Sequence, residues 1–337
     1  MLAIFQDIIP TYRIRLPTAM ELSVRVSKDI KKLRDYERAL LTHYQQYLKL
    51  LETMWEKSCT LQHKSRYKLP PSALGVTAIL CLCELLKSSP HFNFRSNILA
   101  VIVRQMNNNH VTEVSIACCQ AISKIFESDA QGEISLEATR LISRMFKDRN
   151  RAVLPQVLRT FLSLPLRVHE DEAQAAKLAA IANARKRKKD EDAADLEKDM
   201  KEGDATVDKI NLARNQSDTL HTVTLVYFRI LKSVDGDSIN RKTIDLLPPA
   251  LEGLAKFGHL INFDTVVDLL NVLKVMLKKV DFLPLDVSLN CILTAFHTLQ
   301  GPGKELQIDQ KEYVMPLYSQ LPRYFIFLQV FKSLISN

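Results

Sequence analysis

Apolar residues in this chain recur three and four positions apart along most of its length, in short runs closed by proline rather than glycine. That spacing gathers them on one face of an α-helix, and alternation of the kind a half-buried strand requires is missing. The 8 glycines in 337 residues are too few to turn an antiparallel sheet repeatedly. Of the 13 prolines, Pro70, Pro71, Pro90, Pro165, Pro248, Pro249 and Pro284 stand between apolar runs. A ring without an N–H ends a helix more readily than it joins a strand ladder, so the pattern predicts helices with proline-marked boundaries. The expected class is all-α, an α-solenoid of HEAT/armadillo-like helical hairpins preceded by a long amphipathic helix.

Residues 1–17 read as an extended, proline-bounded lead-in. Thr18 then precedes Glu21 by three, the spacing of a capping box. From there to about Lys57 no glycine or proline occurs, and Leu33, Tyr36, Leu40, Tyr44, Tyr47, Leu48 and Leu51 form one stripe. A single long helix is predicted, with Lys28, Lys31, Lys32, Arg34, Arg38 and Lys49 on its other face and the stripe packed on the following array. Helical units then follow at about twenty-residue spacing, and two per forty or so residues is the period of HEAT and armadillo arrays. Such pairs bury a shared core by stacking. After the charged stretch the units resume with TLHTVTLVYFRILKSV, PPALEGLAKF, DTVVDLLNVLKVMLKKV and LDVSLNCILTAFHTL. Asp264 is the expected N-cap of the third of these, and Gly301-Pro302-Gly303 ends the last. The apolar tail lacks the polar outer face of a terminal repeat, which predicts a chain truncated at its C-terminus.

A dense charged block at residues 169–209 interrupts the pattern. It bears no leucine stripe with which to bury a face. Four segments are expected: 1–68, lead-in and basic amphipathic helix; 69–165, N-terminal array; 166–214, a charged insertion, helical or disordered; and 215–337, C-terminal array. The net charge of +8 is not spread evenly. Residues 1–68 hold 13 Lys+Arg against 7 Asp+Glu, whereas 215–337 hold 12 of each, so acidic or phosphate-rich partners suit the N-terminal side. Within the block, Arg185, Lys186, Arg187, Lys188 and Lys189 form a basic run. Exposed, it suits nuclear or nucleolar import, or contact with phosphates without sequence preference, since it brings no aromatic platform. An ordinary solvated linker is the plain alternative. Acidic residues at 170–172 and 190–192 weaken the phosphate reading by repelling the same anions.

No nucleotide-binding loop, zinc-protease motif, paired Cys-x-x-Cys or nucleophile elbow is present in the sequence. No enzymatic activity, cofactor, metal or small-molecule substrate is expected, and no membrane span, because the longest near-apolar run, 73–83, is too short. Cys59, Cys81, Cys83, Cys118, Cys119 and Cys291 are read as reduced thiols of helix cores. His259 and His297 are read as structural, and Asp190, Glu191 and Asp192 as solvated charge rather than metal ligands. Asn215-Gln216-Ser217 matches a glycosylation sequon that needs a secretory route to matter.

Five stretches resemble the nucleolar complex protein three family: FQDIIPTYRIRLPT (5–18), KKLRDYERALLTHYQQYLKLLE (31–52), CLCELLKSSPHFNFRSNI (81–98), VYFRILK (226–232) and LLPPALEGLAKFGHLINFD (246–264). Their order agrees too, with a Lys/Arg-rich insertion between the halves. The resemblance implies a non-enzymatic nucleolar assembly factor built from helical repeats. It implies pairing with a nucleolar complex protein two-like protein and joining precursors of the large ribosomal subunit, with RNA near. It also implies a link to chromatin and replication initiation, which is the alternative function. Family members are typically longer, with a preceding region and a fuller C-terminal domain. A transport adaptor on the same solenoid is a third reading, resting on architecture alone.

Overall fold

The computed structural model describes residues 2–18, 20–21, 24–64, 72–149, 152–167, 193–233, 241–278, 283–300 and 311–335. Among these, every regular element is helical. The chain divides into two compact units, Met1–Ser128 and Asp129–Asn337.

The first unit holds α1 (Leu2–Ile8), α2 (Lys28–Lys64), α3 (Ala73–Ser88), α4 (Arg95–Met106) and α5 (Thr112–Ser128). α3 is the central element: α2, α4 and α5 all pack against it. Its apolar spacing places Ala78, Ile79, Leu82, Cys83, Leu85 and Leu86 out of water. Ser72 caps it, its Oγ accepting from the Gly75 N–H at 3.2 Å, so one orphan donor of the first turn is satisfied. α2 closes on α3 where Gly75 meets Ser58; a Cβ on Gly75 would lie 2.6 Å from that of Ser58.

Two expectations for this unit need correcting. The opening is not wholly extended, because Leu2–Ile8 is helical. Phe5 is the reason: it is buried, stacked on Tyr47 at 4.9 Å and edge-on to Tyr44 at 5.4 Å. Nor does one helix run from Thr18 to Lys57. The capping box forms, Thr18 N–H donating to Glu21 Oε2 at 2.8 Å and Glu21 N–H to Thr18 Oγ1 at 3.4 Å. Residues 24–27 are nevertheless non-helical, and α2 starts at Lys28. Val24 and Val26 lose rotamer freedom in a helix. Ser27 supplies a fresh cap, with Ile30 N–H donating to its Oγ at 3.3 Å and Asp29 in the first turn. The stripe is buried only from Leu40 onward, at Leu40, Tyr44, Tyr47, Leu48 and Leu51 with Leu41 and Trp55, while Leu33 and Tyr36 are exposed.

The second unit holds α6 (Glu133–Asp148), α7 (Pro155–Arg159) running into a 3₁₀ turn (Thr160–Ser163), α8 (Ala193–Lys232), α9 (Arg241–Phe257), a 3₁₀ turn (Gly258–Leu260), α10 (Phe263–Lys278), α11 (Leu285–Gln300) and α12 (Lys311–Ile335). α9 is its hub, packed on α7, α8 and α11. Leu246, Leu247, Ala250, Leu251 and Leu254 on it are fully buried. α8 is continuous for 40 residues, from the charged stretch into the apolar one.

Pro248 and Pro249 do not mark a boundary; they lie inside α9, and Pro316 and Pro322 lie inside α12. Two interior prolines cost a helix about 6 kcal/mol. Leu246, Leu247, Leu251 and Leu254, on either side of the pair, are wholly buried, and burying four leucines returns about 6–12 kcal/mol. Core burial therefore carries the helix through the prolines. Asp264 lies in the first turn of α10 rather than at its cap, because the helix opens at Phe263 and Val266 N–H already bonds the Asn262 carbonyl at 3.0 Å. At residue 264 the carboxylate still favours the positive end of the helix dipole. The Gly-Pro-Gly segment lies outside the described residues.

Candidate interaction surface

Within each unit, the stretches that carried the resemblance meet in space. In the first unit, the lead-in is held by the loop between α3 and α4. Ile14, itself buried, donates its N–H to Asn93 Oδ1 at 3.0 Å and accepts from Asn93 Nδ2 at 2.9 Å. One side-chain amide thus satisfies both backbone groups of an extended residue, as a neighbouring strand would. His91 Nε2 pairs with the Pro10 carbonyl at 3.1 Å. On the other side, Tyr12 Oη donates to Glu37 Oε1 at 2.8 Å and Arg34 Nη1 to the Glu21 carbonyl at 3.3 Å.

Tyr44 sits beneath this clamp with Phe5, Phe92 and Phe94 around it. Burial pushes its phenol up to about 12. Phe94 has a φ of +65°, a conformation that bulky side chains avoid, at the residue opening α4. Its ring lies 6.2 Å from that of Tyr44, and Asn93 beside it is fixed by two hydrogen bonds. Surroundings that over-determine a residue are what sustain such strain. Asn93 escaped the sequence reading: a single amide between two phenylalanines looks like loop filler until its partner is known.

In the second unit, VYFRILK meets LLPPALEGLAKFG. Tyr227 on α8 is buried, edge-on to Phe161 at 6.1 Å, and its hydroxyl lies against Gly253 of α9. That hydroxyl has no hydrogen-bond partner among the described residues, and burial pushes it well above the usual phenol range. This junction is packing, not chemistry.

A polar cleft of about 380 Å³ lies between α6 and α8, lined by Gln131, Glu133, Arg140, Arg214, Asn215 and Asp218 among others. Arg140 and Asp218 pair across it at 2.9 Å. The sequon residue Asn215 donates its amide to the Gln131 carbonyl at 3.0 Å. Beside it, Asp129 accepts from the N–H groups of Gln131, Gly132 and Ser135 and fixes the start of α6. His259 and His297 are exposed, so neither is a core histidine. His297 shares helical phase with Leu293 and Gln300, which also face water.

No group of His, Cys, Asp and Glu among the described residues is arranged to hold a metal, and no described helix is long and apolar enough to cross a membrane. Arg185, Lys186, Arg187, Lys188 and Lys189, with Asp190, Glu191 and Asp192, lie outside the described residues. The cysteines are all free: Cys83, Cys118, Cys119 and Cys291 are buried, Cys59 and Cys81 half-buried. Burial pushes the Cys119 and Cys291 thiols up to about 12. Contact with Cys83 at 3.8 Å, together with burial, also raises Cys118. In the native protein, iodoacetamide near pH 8 should label Cys59 and Cys81 first, and the other four only as their units unfold. Mass-spectrometric mapping of alkylation against time checks this; early labelling of Cys118 or Cys291 would contradict the packing.

The organised features among the described residues are thus helices packed on one another, a clamped N-terminal segment and a polar cleft. A family model described as Nucleolar complex-associated protein matches residues 1–47, which take in the lead-in and the first half of α2. The Danio rerio protein named Nucleolar complex protein 3 homolog is 36% identical over 336 residues, covering 95% of this chain and 41% of its own length. The Homo sapiens protein of that name is also 36% identical, over 340 residues with the same coverage. Nucleolar complex-associated protein 3 of Schizosaccharomyces pombe is 31% identical over 342 residues, 94% of this chain and 44% of its own length. The resemblance to the nucleolar complex protein three family therefore holds along nearly the whole chain. The chain spans about two fifths of the length of these curated relatives. Their names are nucleolar, in agreement with the nuclear and nucleolar localisation expected from the sequence.

Proposed function

We propose that this chain serves as a non-enzymatic nucleolar assembly scaffold in ribosome biogenesis. In this reading it acts in maturation and transport of large-subunit precursors, together with a nucleolar complex protein two-like partner. The observation that carries the reading is likeness to nucleolar complex proteins over 95% of the chain. Supporting it, the resembling stretches form the packing contacts of each unit, so what the chain shares with these relatives is a scaffold. We read the helical hairpins on either side of the charged insertion, 166–214, as two HEAT-like arrays. Affinity purification from cells, with proteins and RNAs identified, tests the function. Recovery of large-subunit precursors and a nucleolar complex partner is expected; their absence refutes it.

The basic run is the proposed targeting element. Replacing Arg185, Lys186, Arg187, Lys188 and Lys189 by alanine should lower nucleolar accumulation severalfold in fluorescence imaging. An unchanged distribution removes this role. The basic surplus of residues 1–68 favours a second reading, a chromatin-binding factor in replication initiation. Chromatin fractionation with and without RNase separates the two, since retention that depends on RNA argues against direct chromatin binding.

A further inference from the structure

Two sulfurs touch in the core of the first unit. Cys83 on α3 and Cys118 on α5 lie 3.8 Å apart, sulfur to sulfur, and only 3% and 0% of their surfaces are exposed. Cysteine serves a core as a small apolar side chain, and packing alone does not require that two thiols meet. Held in contact from two helices, they have the reacting atoms of a dithiol already together, so joining them costs little in approach. A disulfide holds its sulfurs about 2.05 Å apart, so each would move by about 0.9 Å, within the reach of side-chain torsion.

The neighbours decide which thiols pair. Cys81, two residues before Cys83, is turned to α2, where it bonds the Tyr47 hydroxyl. Cys119 stands about 100° round α5 from Cys118, so one helix cannot aim both sulfurs at Cys83. Contact with Cys118 lowers the Cys83 thiol against the pull of burial, and Lys87, one turn further along α3, lowers it too. The same contact, with burial, raises Cys118. Cys83 is therefore the sulfur that becomes the thiolate, and the thiolate is the nucleophile. Hydrogen peroxide is little larger than water, so brief openings of the helix pair admit it where iodoacetamide is held out.

We propose that Cys83 and Cys118 form a peroxide-operated latch, in which oxidation joins them in a disulfide that fastens α3 to α5. The Cys83 thiolate attacks one peroxide oxygen, the O–O bond breaks, and a sulfenic acid forms while the other oxygen leaves as hydroxide. The Cys118 sulfur then attacks the Cys83 sulfur, the S–O bond breaks, and the hydroxyl departs with the Cys118 proton as water. Hydroxide takes up the proton that Cys83 released, so two thiols and one peroxide give one disulfide and two waters. The bond spans 35 positions and encloses α4, which restricts the unfolded chain far more than the folded one. The latch concerns the first unit's own stability and stands whether or not the chain is an assembly scaffold.

The test treats the folded full chain with hydrogen peroxide, follows its circular dichroism throughout, blocks remaining thiols with N-ethylmaleimide and sequences the disulfide-linked peptides by fragmentation. The Cys83–Cys118 link should accumulate while the helical signal holds, and dithiothreitol should reverse it. Trp55, the chain's single tryptophan and buried, reports on the first unit. Its melting midpoint by fluorescence should rise by about 10 °C on oxidation and return on reduction. Cys118→Ala should abolish both the link and the rise, whereas Cys119→Ala should keep both. Should a variant fold poorly, the link mapped in the parent decides. No link, a link through Cys81 or Cys119, one that forms only as the helical signal is lost, or oxidation without a rise in the midpoint overturns the proposal.

Discussion

Replacing Gly253 by alanine is expected to destabilise the second unit by about 3 kcal/mol, toward the upper end of overpacking costs. Helix propensity alone points the other way: glycine to alanine in a helix interior gains about 1 kcal/mol. The added methyl would lie 2.2 Å from the Tyr227 hydroxyl oxygen and 2.4 Å and 2.6 Å from its ring carbons. Tyr227 is fully buried against Phe161 and cannot swing aside. Sterics therefore decide the sign. Tyr227→Phe leaves the ring carbons in place and should not rescue the variant. Alone it should be neutral or slightly stabilising, since it removes an unpartnered buried hydroxyl. Tyr227→Leu frees the space, so Gly253→Ala with Tyr227→Leu should cost less than the sum of the two. Denaturant melts of all four proteins form the cycle. A Gly253→Ala protein as stable as the parent would refute the α8–α9 contact.

A larger effect is expected at Leu273. Its side chain has no exposed surface, and Leu269, one turn before it on α10, has none either. An aspartate there takes a carboxylate out of water into apolar packing, at a cost of about 4–5 kcal/mol. A domain's whole stability is about 5–15 kcal/mol. Leu273→Asp should therefore melt far below the parent or fail to fold. Val275, on the same helix, is 39% exposed, and Val275→Asp should change stability by less than about 0.5 kcal/mol. Thermal unfolding followed by circular dichroism compares the two. Equal melting profiles would show that α10 does not face the core as described.

Much of the helical order was legible because each helix needs only local spacing. The runs beginning at Ala73, Arg95, Thr112 and Leu285 were recognisable from apolar periodicity, with Pro90 and Pro284 at their borders. The capping box at Thr18 and Glu21 was readable as well, because its partners lie three residues apart. Reading failed where a distant contact outweighed local preference. Phe5 folds its own segment into a helix because Tyr44 and Tyr47, some forty residues later, offer a stacking surface. Pro248 and Pro249 stay inside α9 because neighbouring helices bury the leucines on either side of them. Leu33 and Tyr36 carried the same signal as Leu40, yet spacing cannot reveal which part of a stripe another element covers.

By itself, then, the sequence determined the helical class, the family likeness and the absence of familiar catalytic motifs, since these rest on residue type and short spacing. Tertiary structure decided that Asn93 clamps Ile14, that Gly253 admits Tyr227, and that the stripe of α2 changes from buried to open near Leu40. Each of these depends on groups brought together from far apart in the chain, whose meeting no local periodicity encodes.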